Sequence, residues 1–254
     1  RVGRGRRRTR RAMGAQAVGC GPCMDDVALN PSFAETRPGA VALGAGEVHV
    51  WAVSLQGDAE RYGALLSRAE LQRLQRFHFA DHRRRYQIGH GALREILGGY
   101  LGIAPTAVEF TQGPRGKPYL AAKGPFFNLS HSGKLALIAV AATELGVDLE
   151  KVRHLESLTE IARKHFSAGE FTALDALAGT ARELAFYRCW TRKEAYIKAL
   201  GEGLSMPLDS FDVSLDEHGR LLRCRDGRDD PAAWSLLDVS PGTATQGVEG
   251  GYMA

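Results

Sequence analysis

The 254-residue chain predicts an α+β fold. Segments whose hydrophobic residues alternate with period two occur near both ends and in the middle of the body. Long segments with a 3.6-residue period stand between them, and the two kinds follow one another in mixed order. The composition, 44% hydrophobic and 24% charged, suits one large domain or two modest ones and excludes collagen, a disulfide scaffold and wholesale disorder.

Along the chain, residues 1–46 read as a poor folding segment, a disordered or non-native tail rich in Arg, Gly and Ala. Glu47 to Val53 alternates and opens the ordered body as a strand. Ser67 and Glu70, three apart, form a capping box that starts a helix through Leu71, Leu74 and Phe77. A second helix begins near Asp81 and carries Tyr86, Ile88, Leu93, Ile96, Leu97 and Leu101. Val108–Phe110 is a short strand before the turn-rich run Gly113–Pro118. Phe126–Leu129 and Leu135–Ala141 are β-type runs, and Gly146–Glu150 is another strand. Helices are expected at 155–166, 168–178 and 180–200, with Gly201 as the C-cap of the last. Phe186, Trp190, Ile197 and Leu200 on that helix belong to the core. Strands at 211–215, 220–224 and 233–238 follow, and the chain stops at Gly250–Ala254 as a further apolar run begins, which suggests a truncated closing strand.

The net charge of +4 comes from one end. Residues 1–11 hold seven Arg and no acid, leaving 26 basic against 29 acidic residues in the rest. An Arg-rich leader can be a transit peptide, an arm for nucleic acid, or sequence upstream of a true start at Met13 or Met24; the last is favoured, because neither an apolar face nor a basic stripe continues into the body. Nucleic acid is therefore not the expected partner. Cys20-Gly21-Pro22-Cys23 lacks the strand and helix that a redox pair needs, and a zinc site would want a second close pair where Cys189 and Cys224 stand alone. Four reduced thiols suit a cytoplasmic protein. No stretch approaches the roughly 18 apolar residues of a membrane span.

Three features can carry chemistry. Asp148 and Glu150, two apart on a strand, face the same way, although a solvent-facing edge strand has the same pattern. Glu194 and Lys198 lie one helical turn apart, as an ordinary surface ion pair also does. Asn128-Leu129-Ser130-His131-Ser132-Gly133 is a polar turn whose hydroxyls, imidazole and N–H groups can receive phosphate, although a Ser/Gly turn needs no ligand. Together they offer three carboxylates for one divalent cation, lysines beside them and a phosphate turn. That set suits attack on a phosphoanhydride.

Asn128–Ser132, Gly146–Glu150, Trp190-(x2)-Lys193-Glu194-Ala195-(x2)-Lys198-(x2)-Gly201-(x)-Gly203-Leu204, with Gly116–Tyr119 and Ser205–Leu208, closely resemble the motifs of 4′-phosphopantetheinyl transferases in order and separation. The resemblance spans about residues 47–254, and its length is that of the double-size, surfactin-synthetase-activator type. It implies a monomer of two similar α+β halves, 47–125 and 126–254, related by a pseudo-twofold axis with the active site between them. It implies transfer of the phosphopantetheine arm of coenzyme A to a serine of an acidic apo acyl or peptidyl carrier protein. Asp148, Glu150 and Glu194 are then expected to hold Mg²⁺, with Mn²⁺ as a substitute. Lys193 and Lys198 are expected on the pyrophosphate; Lys117, Ser130 and His131 on phosphates of the nucleotide end; and Arg94, assisted by one or more of Arg83, Arg84 and Arg85, on the 3′-phosphate. Glu194 is the expected base, with Lys198 beside it. A metal-dependent phosphohydrolase using the same carboxylates is the alternative.

Overall fold

A computed structural model describes residues 17–20, 27–30, 41–224, 230–240 and 251–254. In chain order the elements are β1 (Ala17–Cys20), β2 (Val27–Asn30), β3 (Val48–Ser54), α1 (Ala59–Gly63), α2 (Arg68–Leu74), α3 (Ala80–Leu101), β4 (Phe110–Gln112), β5 (Pro118–Leu120), β6 (Phe126–Ser132), β7 (Leu135–Ala141), β8 (Leu145–Val147), β9 (Glu150–Lys151), α4 (Leu158–His165), α5 (Ala168–Asp175), α6 (Gly179–Leu200), β10 (Asp212–Val213), β11 (Leu221–Arg223), β12 (Trp234–Leu236) and β13 (Tyr252–Met253). The mixed helix and sheet content agrees with the α+β expectation.

The central sheet has the order β2-β3-β7-β6, with β2 parallel to β3 and the other pairs antiparallel. Both faces of β7 are buried, which is why Leu135–Ala141 is an unbroken apolar run rather than an alternating one. Period two still sorts its side chains. Ala136, Ile138 and Val140 join Trp51, Val53 and Phe127 under α3, where Ile88, Leu93, Ile96 and Leu97 cover them. Leu135, Leu137 and Ala139 face the other way, with Val48, Val50, Leu145, Val147 and Leu149. Each such Leu, Ile or Val contributes about 1.5–3 kcal/mol of burial free energy. A third cluster joins α6 to α4, α5 and β10; Phe186 and Ile197 lie within it, with Trp190 and Leu200 packed against it.

Gly146 sets the distance between α6 and this second face. A Cβ there would fall 2.0 Å from the Ala195 carbonyl oxygen and 2.5 Å from the Ala199 nitrogen, so only glycine lets the helix lie on β8. The helix then stops at Gly201, whose φ of +68° is the left-handed cap.

Several elements differ from expectation. Residues 1–46 contain two short strands: β1 lies between β12 and β8, and β2 lies beside β3. Isolated four-residue strands carry too little periodicity to be seen without their partners. The Arg-rich run and Cys23 lie outside the described residues. The expected strand at 146–150 is two short ones, β8 and β9, separated at Asp148–Leu149. At the other end, Tyr252 and Met253 pair with Lys151 and Glu150.

Candidate active site

The site grows from the break between β8 and β9. The segment 147–151 crosses β6, and its N–H groups alternate onto side chains of that strand. Val147 N donates to Asn128 Oδ1 (2.9 Å), Leu149 N to Ser130 Oγ (3.3 Å) and Lys151 N to Ser132 Oγ (3.1 Å). The serine hydroxyls donate in turn to the carboxylates, Ser130 to Asp148 Oδ1 and Ser132 to Glu150 Oε2, both at 2.9 Å.

From α6, seated close by Gly146, Lys198 donates to Asp148 Oδ1 at 2.5 Å, to Ser130 Oγ at 3.1 Å and to the Val147 carbonyl at 3.3 Å. Glu194 stands one turn earlier on the same helix. Burial, and then the negative charges of Asp148 and Glu150, raise its carboxyl above the ordinary range, with Lys198 pulling the other way. Glu150 is likewise raised by burial and by Asp148, against the hydrogen bond from Ser132. Asp148, Glu150, Glu194 and Lys198 thus form one electrostatically coupled group.

Next to it opens a cleft of about 990 Å³ between α2, α3, β4 and β6, with Arg73, Tyr86, His90, Arg94, Phe110 and His131 on its walls. His131 joins the two regions, since its sequence neighbour Ser130 is hydrogen-bonded to Asp148. Its ring lines the cleft while the residue stays accessible to water. Partial desolvation, followed by the positive charges of Lys198, His90 and Arg85, keeps its pKa below the usual histidine value. The His90 ring stacks on Tyr86 at 4.0 Å, and its Nδ1 lies 3.5 Å from Glu70.

Four expected phosphate ligands have other work. Lys193 is completely buried, and its ammonium meets the Leu208 and Phe211 carbonyls at 2.6 and 2.7 Å and Glu170 at 2.8 Å. Five residues, or about 500°, separate it from Lys198, so the two lysines occupy opposite sides of α6. Lys117 is buried against Glu144, the Leu145 carbonyl (3.1 Å) and the Ala199 carbonyl (2.8 Å), where it ties α6 to β8. Arg94 lines the cleft, but its guanidinium is bound to Glu70 (2.7 Å) and to the carbonyls of Pro105 (3.1 Å) and Val108 (2.9 Å). Ser130, expected on phosphate, is engaged with Asp148, Lys198 and Leu149. Of Arg83, Arg84 and Arg85, Arg84 holds the Gln56 and Gly57 carbonyls, and Arg85 is near enough to act on His131.

Arg73, Tyr86 and His90, which the sequence reading did not single out as site residues, also line the cleft. Tyr86, His90 and Arg94 are spaced four apart, a single stripe of α3, and that stripe was the available signal.

The donor set fits a hard divalent cation. Asp148 Oδ2 is buried and has no hydrogen-bond partner, as a carboxylate oxygen reserved for a ligand would be. Among the described residues, no three His, Cys, Asp or Glu side chains converge tightly enough to hold a metal as they stand.

The fold sets this coupled carboxylate–lysine group beside the cleft, and comparison with known proteins specifies the family. The 4′-phosphopantetheinyl transferase superfamily model matches residues 144–249, and the 4′-phosphopantetheinyl transferase N-terminal model matches residues 51–143. The chain is 40% identical over 215 residues to the 4′-phosphopantetheinyl transferase HetI of Nostoc sp. (strain PCC 7120), covering 81% of this chain and 87% of that one. A 4′-phosphopantetheinyl transferase of Bacillus subtilis is 34% identical over 65% of this chain and 73% of its own, and Sfp of Bacillus subtilis (strain 168) is 29% identical over 74% and 83%. The chain belongs to the 4′-phosphopantetheinyl transferase superfamily. Among the described residues no helix is long and apolar enough to cross a membrane.

Proposed function

We propose that the chain transfers the 4′-phosphopantetheine arm of coenzyme A to a serine of an apo acyl or peptidyl carrier protein, with release of adenosine 3′,5′-bisphosphate. The observation that carries this reading is the group Asp148–Lys198–Ser130, coupled to Glu150 and Glu194 and joined through His131 to the cleft. The cleft is large enough for the nucleotide end of coenzyme A, with Arg73, His90 and His131 as its anion-binding groups. Lys198 then reaches the pyrophosphate.

In the transfer the seryl oxygen forms a bond to the phosphorus bearing the pantetheine arm, and the bond from that phosphorus to the bridging oxygen breaks. The seryl proton passes to Glu194 as general base. The leaving bisphosphate carries away the electron pair of the broken bond. Lys198 stabilises the charge that develops on the pyrophosphate oxygens. Asp148, Glu150 and Glu194 would hold Mg²⁺, with Mn²⁺ as a substitute, and that ion would neutralise further pyrophosphate charge. The same reading assigns a cytoplasmic monomer of two related halves, 47–125 and 126–254, with the reaction between them and an acidic carrier as partner.

Intact-mass spectrometry of an apo carrier protein, incubated with this chain, coenzyme A and Mg²⁺, tests the reading. It requires a mass gain of one phosphopantetheine arm, abolished by EDTA and by Glu194→Gln. Release of phosphate from coenzyme A with no gain on any of a panel of carriers would favour the phosphohydrolase instead.

A further inference from the structure

The order β2-β3-β7-β6 leaves β6 at the edge of its sheet. Segment 147–151 crosses it without forming a backbone ladder, and Asn128, Ser130 and Ser132 take the alternate N–H groups of Val147, Leu149 and Lys151 in its place. Each serine oxygen both donates and accepts. Ser130 accepts from Leu149 N and donates to Asp148; Ser132 accepts from Lys151 N and donates to Glu150. A hydroxyl has a single proton, so donating it to the carboxylate leaves lone pairs for the N–H, and the two bonds orient each other. The apolar side chains of Val147 and Leu149 decide which face of the segment is buried, while the serines fix its position along β6 and the rotation of its carboxylates. One consequence is already visible at Asp148, where Oδ1 is held by Ser130 and Lys198 while Oδ2 stays bare.

We propose that Ser132 is a positioning residue for Glu150, and that the ladder Asn128–Ser130–Ser132 fixes the rotation of the Asp148 and Glu150 carboxylates from which a divalent cation is bound. This inference rests on the reading of those carboxylates as metal-holding groups. Ser132 acts through the Glu150 carboxylate, to which its hydroxyl donates. Losing such an outer partner costs about 10–100-fold in metal affinity.

The test is a Mn²⁺ titration followed by electron paramagnetic resonance, in the presence of coenzyme A, on wild type, Ser132→Ala, Ser132→Thr and Ser132→Cys. Thermal midpoints and the KM for coenzyme A at saturating Mg²⁺ are measured alongside. Ser132→Ala is expected to weaken Mn²⁺ binding about tenfold or more with KM for coenzyme A changed less than about twofold. Ser132→Thr, which retains the hydroxyl, restores wild-type binding. Ser132→Cys, with its weak donor, falls between and stands in for the alanine variant if that one does not fold. Equal Mn²⁺ affinity in wild type and a folded Ser132→Ala or Ser132→Cys overturns the positioning role and leaves the transferase reading intact. A wild-type chain that binds no Mn²⁺ with coenzyme A overturns the metal reading itself and this inference with it.

Discussion

Replacing Lys193 by Met separates a structural lysine from a substrate-binding one. The ammonium is wholly enclosed, with all three protons directed at acceptors: Leu208 O, Phe211 O and Glu170. Glu170 is equally occupied. Besides Lys193 it accepts from Ser167 N and Val213 N, each at 2.8 Å, and so joins the start of α5 to β10. Met fills the volume of the lysine stem but leaves a buried carboxylate without its counter-charge and two carbonyls without a donor. Breaking one side of such a pair costs about 3–5 kcal/mol. That is a large share of a total stability of about 5–15 kcal/mol, and at about 2–4 °C per kcal/mol it lowers the thermal midpoint by roughly 6–20 °C. Glu170→Gln is destabilising by the same logic, whereas the double variant Glu170→Gln/Lys193→Met costs less than the sum of the two, with a coupling of about 1–3 kcal/mol. Denaturant unfolding supplies the three free energies. At a temperature where Lys193→Met is folded, its KM for coenzyme A should stay within about threefold of wild type. Lys198→Met, by contrast, removes a cation from the reacting group and should lower kcat by about 10²–10³-fold. A Lys193→Met variant as stable as wild type, with a KM for coenzyme A raised tenfold, would refute the assignment and return Lys193 to the pyrophosphate.

Other consequences follow from the packing and the charges. Gly146→Ala forces α6 away from β8, because its Cβ would overlap the Ala195 carbonyl; loss of the cooperative thermal transition is expected, and an unchanged midpoint would contradict the close approach. Lys117→Met removes a link between Leu145 and Ala199 and should lower the thermal midpoint by several degrees; unchanged stability together with weakened coenzyme A binding would argue that Lys117 meets phosphate. For Glu70, burial raises the carboxyl pKa, but hydrogen bonds from His90 and Ser67 and the charge of Arg94 outweigh it and bring the pKa down from 4.5 to about 2. The stabilisation from this depressed pKa is present above pH 4.5 and disappears as the pH falls towards 2. After allowance for the partly solvated site it amounts to about 1–2 kcal/mol. The difference in unfolding free energy between wild type and Glu70→Gln should therefore shrink by about that much between pH 5 and 2, and a pH-independent difference would refute it.

Local elements and the family were legible in the amino-acid sequence. Period two over Val48–Ser54 and the capping box at Ser67 needed no tertiary information, because both are satisfied within a few residues. The two-residue spacing of Asp148 and Glu150, and the one-turn spacing of Glu194 and Lys198, put acid and base on shared faces before any fold was known. Packing decided which face of α6 is buried. Lys193 and Lys198 belong to one motif, yet α5 and β10 cover the first and β8 leaves the second beside Asp148. Packing decided equally that Lys117 and Arg94 would spend their charges on carbonyls and carboxylates of the frame, and that three side chains of β6 would stand where a backbone ladder would otherwise form. A charged side chain looks the same in sequence whether its partner is a ligand or a distant carbonyl. The difference lies in desolvation and in acceptors brought from elsewhere in the chain, and only packing supplies those.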